Sequence, residues 1–270
     1  MFEQYTNGKK CIIGCIHLLP MPNTPFFKAG DYEASVKKAI HDAKALYNGG
    51  ATGCIIQNVD RVFVPTDDTD YSHVACMAVI GNEVRRATGP DFKVGIQIMW
   101  NCISPSLAAC KAAGADYTRC SVLSGESDSP YGKLVGVPMK VMNYKKAIDL
   151  PNLDILAEVA GYHNLTGDNY NPQVLIDKAK AMLKVGASAI ELSHKDEALN
   201  NQMVADLKAA IPGVKIILGG HTNVQNVASR LALADGAVVG SCFENGNWGG
   251  EVCEETVAKY MQQVRLLEQQ

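Results

Sequence analysis

The amino-acid sequence predicts an α/β fold, a single (β/α)8 TIM barrel that spans residues 1–270. Eight apolar runs of the length of buried parallel strands follow one another along the chain. Helical patterns separate these runs, and several of them close on glycine, a residue that commonly ends a helix. Eight such units in 270 residues match the size and order of a barrel of this type.

The predicted strands, in chain order, occupy residues 11–19, 52–59, 93–101, 116–123, 153–162, 188–194, 215–220 and 236–242. The sequences GGAT, AAGAD and VGAS precede the second, fourth and sixth runs, where a helix end turns into the next strand. A doubly wound sheet is the alternative, but it usually begins with a glycine-rich phosphate loop, and the first strand here ends in HLLPMP. Residues 124–151, rich in Gly, Ser and Pro, are predicted to form a long loop, with room for a short helix, over the carboxyl-terminal face.

Composition and charge narrow the class of protein. The net charge is −3, from 25 basic and 28 acidic residues without blocks of one sign, so we expect no nucleic-acid partner. Nine cysteines without C-x-x-C spacing indicate a reducing compartment, and we expect a cytoplasmic protein. No apolar stretch approaches the roughly 20 residues that span a bilayer. The run in KKCIIGCIHLLPMP lacks a small-residue cleavage site, so it is interpreted as the first strand and not as a signal peptide.

The ends of the last two predicted strands resemble a phosphate site. In barrels of this type the loops after strands seven and eight often bind phosphate. The sequences KIILGGHTN and ADGAVVGSCF end in glycines and hydroxyl residues, which let backbone N–H groups approach an anion. A helix beginning near Val224 is expected to add its positive amino-terminal end. The alternative is that the glycines only make tight turns. The predicted phosphate ligands are Gly219, Gly220, Thr222, Gly240 and Ser241.

Strand alternation places a second set of polar side chains inside the barrel. Charges there are costly unless they are paired or solvated, so converging charges indicate acid–base chemistry or, alternatively, ion pairs that serve only structure. The candidate catalytic residues are His17, Arg119, Glu158, Glu191 and Lys195. The candidate substrate-binding residues are Asn58, Gln97, Asn101 and Ser193, with the inward side chain of strand two ambiguous between Gln57 and Asn58.

Three of these assignments leave specific alternatives open. His17 at a strand end can be a simple packing residue. Lys195 stands where a Schiff-base lysine would, but lysines at strand ends also extend into solvent. No H-x-H or H-E-x-x-H motif is present, so no cofactor is required, although a divalent metal between Glu158 and Glu191 stays possible.

Several motifs together resemble the BtpA/SgcQ family. IIGCIHLLPMPNTP is similar to the family's opening signature G-M-x-H-L-x-x-L-P-G-x-P, and GGATGCIIQN, VGIQIMWN, AAGADYTRCSVLSG and ADGAVVGSCFENG follow in the expected order over nearly the whole chain. The resemblance implies a TIM barrel. Residue by residue, it supports His17, Asn58, Asn101, Arg119, Gly240 and Ser241.

The chain departs from the family at one position in strand two and one in strand three. Gln57 stands where the family commonly has Glu, and Gln97 stands where it has Asn. An amide in place of a carboxylate keeps hydrogen bonding but removes charge and basicity. The resemblance therefore does not carry over to this chain a mechanism that needs an acid at the end of strand two.

Two function classes follow. The first is an enzyme that acts on a small phosphorylated molecule, a sugar phosphate or phosphoribosyl compound, by lyase, isomerase or hydrolase chemistry. The second is a non-catalytic assembly factor, which the resemblance implies because one branch of the family is named for photosystem I accumulation. A homo-oligomer is compatible with either class. Fold alone does not separate them.

Overall fold

The predicted (β/α)8 barrel is confirmed. The computed structural model describes residues 1–4, 9–161 and 170–269. Eight parallel strands close into a barrel because the first strand pairs with the second on one side and with the last barrel strand on the other. These strands are β1 (Cys11–His17), β2 (Gly53–Gln57), β3 (Lys93–Gln97), β4 (Tyr117–Cys120), β7 (Asp154–Ala160), β8 (Ala189–Leu192), β9 (Ile216–Gly219) and β10 (Gly236–Val239).

Helices surround the barrel, and some of them begin or end at residues that favour helix ends. They are α1 (Asp31–Gly49), α2 (Tyr71–Ala87), α3 (Ile103–Ala113), α4 (Pro138–Ala147), α5 (Pro172–Lys184), α6 (Glu197–Ala210), α7 (Val227–Arg230) and α8 (Glu254–Leu267), preceded by a short 3-10 helix, Phe2–Gln4. The side chains of Asp70 and Asp196 accept backbone hydrogen bonds at the starts of α2 and α6. Gly50 and Gly114 end α1 and α3 in the left-handed conformation, which glycine adopts without steric cost.

Side chains fill the lower part of the barrel interior. Tyr117 is fully buried, and its ring packs edge-on against Phe2 with ring centroids 5.7 Å apart. Its hydroxyl donates to the carbonyl of Cys54 at 2.8 Å. A Cβ at Gly95 would lie 2.3 Å from the Tyr117 ring, so only glycine fits beside it. This layer of the barrel interior is therefore apolar.

The strands end earlier than the apolar runs predict. β3 stops at Gln97 although the run continues to residue 101, and β10 stops at Val239 although its run continues to residue 242. The backbone leaves the ladder at these points because the following residues form loops around a cavity. The polar ends of the runs belong to those loops.

Residues 124–151, predicted as a long loop, contain regular structure. Strands β5 (Glu126–Ser129) and β6 (Gly132–Val135) form an antiparallel hairpin, and α4 follows as the helix of the fourth barrel unit. The Tyr131 hydroxyl donates to the carbonyl of Arg61 at 3.2 Å, and the Lys140 ammonium lies 3.0 Å from the Asp67 carboxylate. These contacts hold the hairpin segment against the loop that follows β2.

No helix in the described part of the chain is long and apolar enough to cross a membrane.

Candidate functional site

A cavity of about 830 Å³ lies at the carboxyl ends of the barrel strands. Its walls come from β1, β2, β4, β9 and β10 and from the loops that follow β2, β3, β9 and β10, with Tyr131 added by the turn between β5 and β6. The predicted site residues that line it are His17, Asn58, Arg119, Gly219, Gly220, Thr222, Gly240 and Ser241.

Arg119 is the centre of a buried charge cluster. It donates from Nε to a Glu191 oxygen at 2.6 Å, and a second guanidinium nitrogen contacts the other Glu191 oxygen. The same nitrogen donates to Glu158 at 3.2 Å. Burial lowers the pKa of the guanidinium, but the charges of Glu191 and Glu158 outweigh burial and raise it, so Arg119 stays charged. Arg119 lines the cavity, whereas both carboxylates are 1% exposed and lie behind it.

Two glutamines extend this cluster and settle the ambiguity in strand two. Gln57 points inward, and its Nε2 donates to Gln97 Oε1 at 2.6 Å. Arg119 donates to the same oxygen at 3.4 Å. Asn58 also lines the cavity, where its Oδ1 accepts from the backbone N–H of Met99 at 2.7 Å. Gln97 Nε2 is buried and has no hydrogen-bond partner among the described residues, and Gln97 itself does not line the cavity.

His17 is the second positively charged side chain, after Arg119, that lines the cavity. Its Nδ1 is 2.7 Å from an oxygen of Glu244, which is 2% exposed and lies in the loop after β10. Burial lowers the pKa of His17, but hydrogen bonds to Cys15 and Glu244 outweigh burial and raise it to about 9. The Trp248 ring covers the imidazole, with ring centroids 5.2 Å apart. At neutral pH His17 is therefore an imidazolium that faces the cavity.

The ends of β9 and β10 carry hydrogen-bond donors, in part as predicted. The Tyr260 hydroxyl donates to Thr222 Oγ1 at 2.9 Å, which leaves the Thr222 hydroxyl proton for a ligand. Within the described residues, the backbone N–H groups of Ser241 and Cys242 have no acceptor. The N–H of Gly220 is predicted to contact the anion, but it donates instead to the carbonyl of Val238 at 3.0 Å.

The predicted helix after β9 is largely absent. The helix expected near Val224 is the four-residue α7, which starts only at Val227. The preceding residues form a turn in which Asn223 and Asn226 hydrogen-bond each other's backbone N–H groups. The expectation that a helix end would add positive charge at this site is therefore wrong.

Gly219 and Gly240 lie close to charged side chains of the site. A Cβ on Gly219 would lie 2.1 Å from Glu191 Oε1, so the absent side chain makes room for the carboxylate that holds Arg119. A Cβ on Gly240 would lie 3.1 Å from His17 Cε1. Both glycines are needed for close packing of charged side chains, in addition to any contact with a ligand.

Three predicted site residues lie elsewhere. Asn101 is buried, and its side chain bonds the backbone N–H and C=O of Val122, so it supports a loop and does not reach the charge cluster. Lys195 is exposed, and its carbonyl accepts from Arg230 at 2.7 Å. Ser193 is buried, and among the described residues its hydroxyl has no partner. None of the three lines the cavity. Strand alternation assigns a face only while the backbone remains a strand, and all three residues follow strand ends.

Sequence reasoning missed Glu244 and gave Cys15 no role. Cys15 could be found from alternation, because it stands two residues before His17 on the same face of β1. Glu244 lies in a loop without periodicity, so only the closed barrel brings it to His17. Among the described residues no three His, Cys, Asp or Glu side chains cluster in a way that would hold a metal ion. Arg119 occupies the space between Glu158 and Glu191.

Several solved structures of enzymes have a similar fold. Tryptophan synthase from M. tuberculosis in an open form aligns with a TM-score of 0.62 and 14% identity over 98% of this chain and 96% of that chain. N-(5'-phosphoribosyl)anthranilate isomerase from Pyrococcus furiosus aligns with a TM-score of 0.56 and 11% identity over 94% of this chain and 99% of that one. At these identities the likeness shows the fold alone.

Sequence relatives are more specific. An uncharacterised protein of Archaeoglobus fulgidus is 33% identical over 241 residues, which cover 88% of this chain and 93% of the relative. A Synechocystis protein named Photosystem I biogenesis protein BtpA is 25% identical over 239 residues, 87% of this chain and 81% of the relative. The model of the BtpA family matches residues 8–266. The chain therefore belongs to the BtpA family.

Proposed function

We propose that this protein is an enzyme that acts on a small phosphorylated metabolite, such as a sugar phosphate or phosphoribosyl compound. The observation that carries the proposal is that a single cavity joins the donor-rich ends of β9 and β10 to His17 and Arg119. The ends of β9 and β10 supply hydroxyl and N–H groups suited to phosphate oxygens. His17 and Arg119 supply two positive charges that buried carboxylates hold in fixed positions.

The geometry assigns distinct roles to the charged residues. Arg119 and the His17 imidazolium face the cavity, so they contact the substrate and stabilise negative charge that develops on a substrate oxygen. His17 can also donate a proton. Glu158, Glu191 and Glu244 are positioning residues, because each holds one of the cations from the side away from the cavity. This arrangement fits lyase, isomerase or hydrolase chemistry.

Two further observations support the proposal. Several barrels of similar fold are named for phosphorylated compounds, among them thiamine phosphate pyrophosphorylase (TM-score 0.52, 16% identity, 98% of each chain) and the anthranilate isomerase above. All nine cysteines are free, which agrees with a reducing, cytoplasmic location.

Ligand binding tests the proposal first. A thermal-shift screen of phosphorylated sugars and nucleotides, each beside its dephosphorylated counterpart, should find phosphorylated compounds that raise the melting temperature. Ser241→Asp then places a carboxylate at the proposed phosphate position and should weaken binding by about tenfold or more through charge repulsion. Gln262→Glu adds the same charge on the exposed surface of α8 and is the matched control. Equal affinity in the two variants would contradict the phosphate site.

A second candidate is an assembly factor that binds a partner protein, as the name of the Synechocystis relative implies for that protein. Exposed apolar side chains near the cavity favour it: Val62 is 50% exposed, Val64 48% and Trp248 59%. This candidate gains support if no phosphorylated compound stabilises the protein. Replacing Val62 and Val64 with Ser should then abolish partner binding without changing the melting temperature.

A further inference from the structure

Three aromatic side chains form one wall of the cavity. The ring centroids of Phe63 and Trp100 are 5.3 Å apart, those of Phe63 and Tyr131 5.2 Å, and those of Trp100 and Tyr131 5.0 Å. Each ring comes from a different segment: the loop after β2, the loop after β3 and the turn of the β5–β6 hairpin. All three line the cavity and are only partly buried, so ring surface remains accessible.

The aromatic wall is held in place by polar contacts outside the rings. The Tyr131 hydroxyl donates to the backbone of Arg61, and the Lys140–Asp67 pair ties α4 to the same loop. Accessible aromatic surface on a fixed wall is well suited to bind another planar ring, because ring pairs at these spacings gain energy beyond the area that they bury. The wall therefore has the character of a binding surface for a ring.

The volume of the cavity also supports a ligand that carries a ring. Its volume of about 830 Å³ is near the upper end of the range for pockets that bind drug-sized ligands, roughly 300–1,000 Å³. A small sugar phosphate would fill only part of it. The donor-rich ends of β9 and β10 account for the polar part of such a ligand, and the aromatic wall presents ring surface that a phosphate group does not use.

We propose that the ligand is a phosphorylated compound that also carries a planar aromatic ring, and that this ring lies against Phe63, Trp100 and Tyr131. The inference rests on the proposed function, because it assumes that the phosphate is held at Thr222 and Ser241. It narrows the substrate class from phosphorylated metabolites in general to those with an aromatic or heteroaromatic group.

The test compares three probes by calorimetry: phenyl phosphate, glycerol 3-phosphate and phenol. Intrinsic fluorescence reports where the ring binds, because the chain has two tryptophans, Trp100 and Trp248, and both line the cavity. Trp248→Phe leaves Trp100 as the only emitter. We expect phenyl phosphate to bind at least about tenfold more tightly than glycerol 3-phosphate, as stacking on aromatic side chains provides, and to change Trp100 emission.

A pair of tyrosine variants locates the effect. Tyr131→Ala should remove the tenfold advantage of phenyl phosphate and leave glycerol 3-phosphate binding unchanged. Tyr71→Ala is the control, because Tyr71 is 92% exposed on α2 and does not line the cavity. Equal binding of the two phosphates to the wild type, or an advantage that persists in Tyr131→Ala, would overturn the ring site while leaving the phosphate proposal intact. Binding of phenol at Trp100 without any gain from phosphate would instead refute the phosphate site and keep the ring site.

Discussion

Replacing Glu244 with Gln is expected to change the pH dependence of stability, because Glu244 helps to hold the charge of His17. The pKa of His17 is about 9 in the folded protein and 6.5 in its ordinary state. The folded protein thus binds this proton more tightly than the unfolded chain. The resulting stabilisation is fully present below pH 6.5 and is lost as the pH rises through about 9.

The size of the change in stability follows from the difference between the two pKa values of His17. At about 1.36 kcal/mol per pKa unit, the difference between 6.5 and about 9 corresponds to roughly 3 kcal/mol in the free energy of unfolding. The Glu244→Gln variant keeps a hydrogen-bonding side chain but loses the negative charge, so part of this pH-dependent stability should disappear. Part should remain, because Cys15 also bonds His17.

Urea unfolding measured at several values between about pH 6 and pH 10 checks this prediction. The wild type should lose stability across the interval, and Glu244→Gln should show a flatter curve that meets the wild-type curve at high pH. Glu251→Gln, which removes an exposed carboxylate from the same loop, should follow the wild type. The reasoning fails if Glu244→Gln and the wild type lose the same stability between low and high pH.

Two further substitutions test the packing of the site. Gly219→Ala places a methyl group 2.1 Å from the present position of Glu191 Oε1, so the carboxylate must move. We expect thermal denaturation to show that the free energy of unfolding falls by roughly 1–3 kcal/mol. An unchanged melting temperature would show that the space is not needed. Asn101→Ala removes the hydrogen-bond partner of the buried backbone groups of Val122, so the free energy of unfolding in urea should fall by about 1–3 kcal/mol. The folded fraction should still bind phosphorylated ligands. Loss of binding without loss of stability would instead restore Asn101 as a ligand-binding residue.

The accuracy of the sequence prediction differs between the strands and the loops. The inward positions of Arg119, Glu158 and Glu191 follow from alternation along their strands, and their contacts with one another agree with it. Beyond a strand end the period of two no longer applies, and Asn101 and Lys195 were placed wrongly for that reason. The backbone turns there to follow hydrogen bonds that no local pattern encodes.

The sequence by itself determined the barrel, its eight strands and the end of the barrel where polar residues collect, because these depend on local periodicity and on the size of the repeat. Only the tertiary structure decided which charges meet. Arg119 bonds Glu191 on β8 with two nitrogens and Glu158 on the adjacent strand with one, and His17 bonds Glu244, 227 residues away in the chain. Such pairs depend on how the barrel closes and on how each loop folds back, and both are set by packing across the whole molecule.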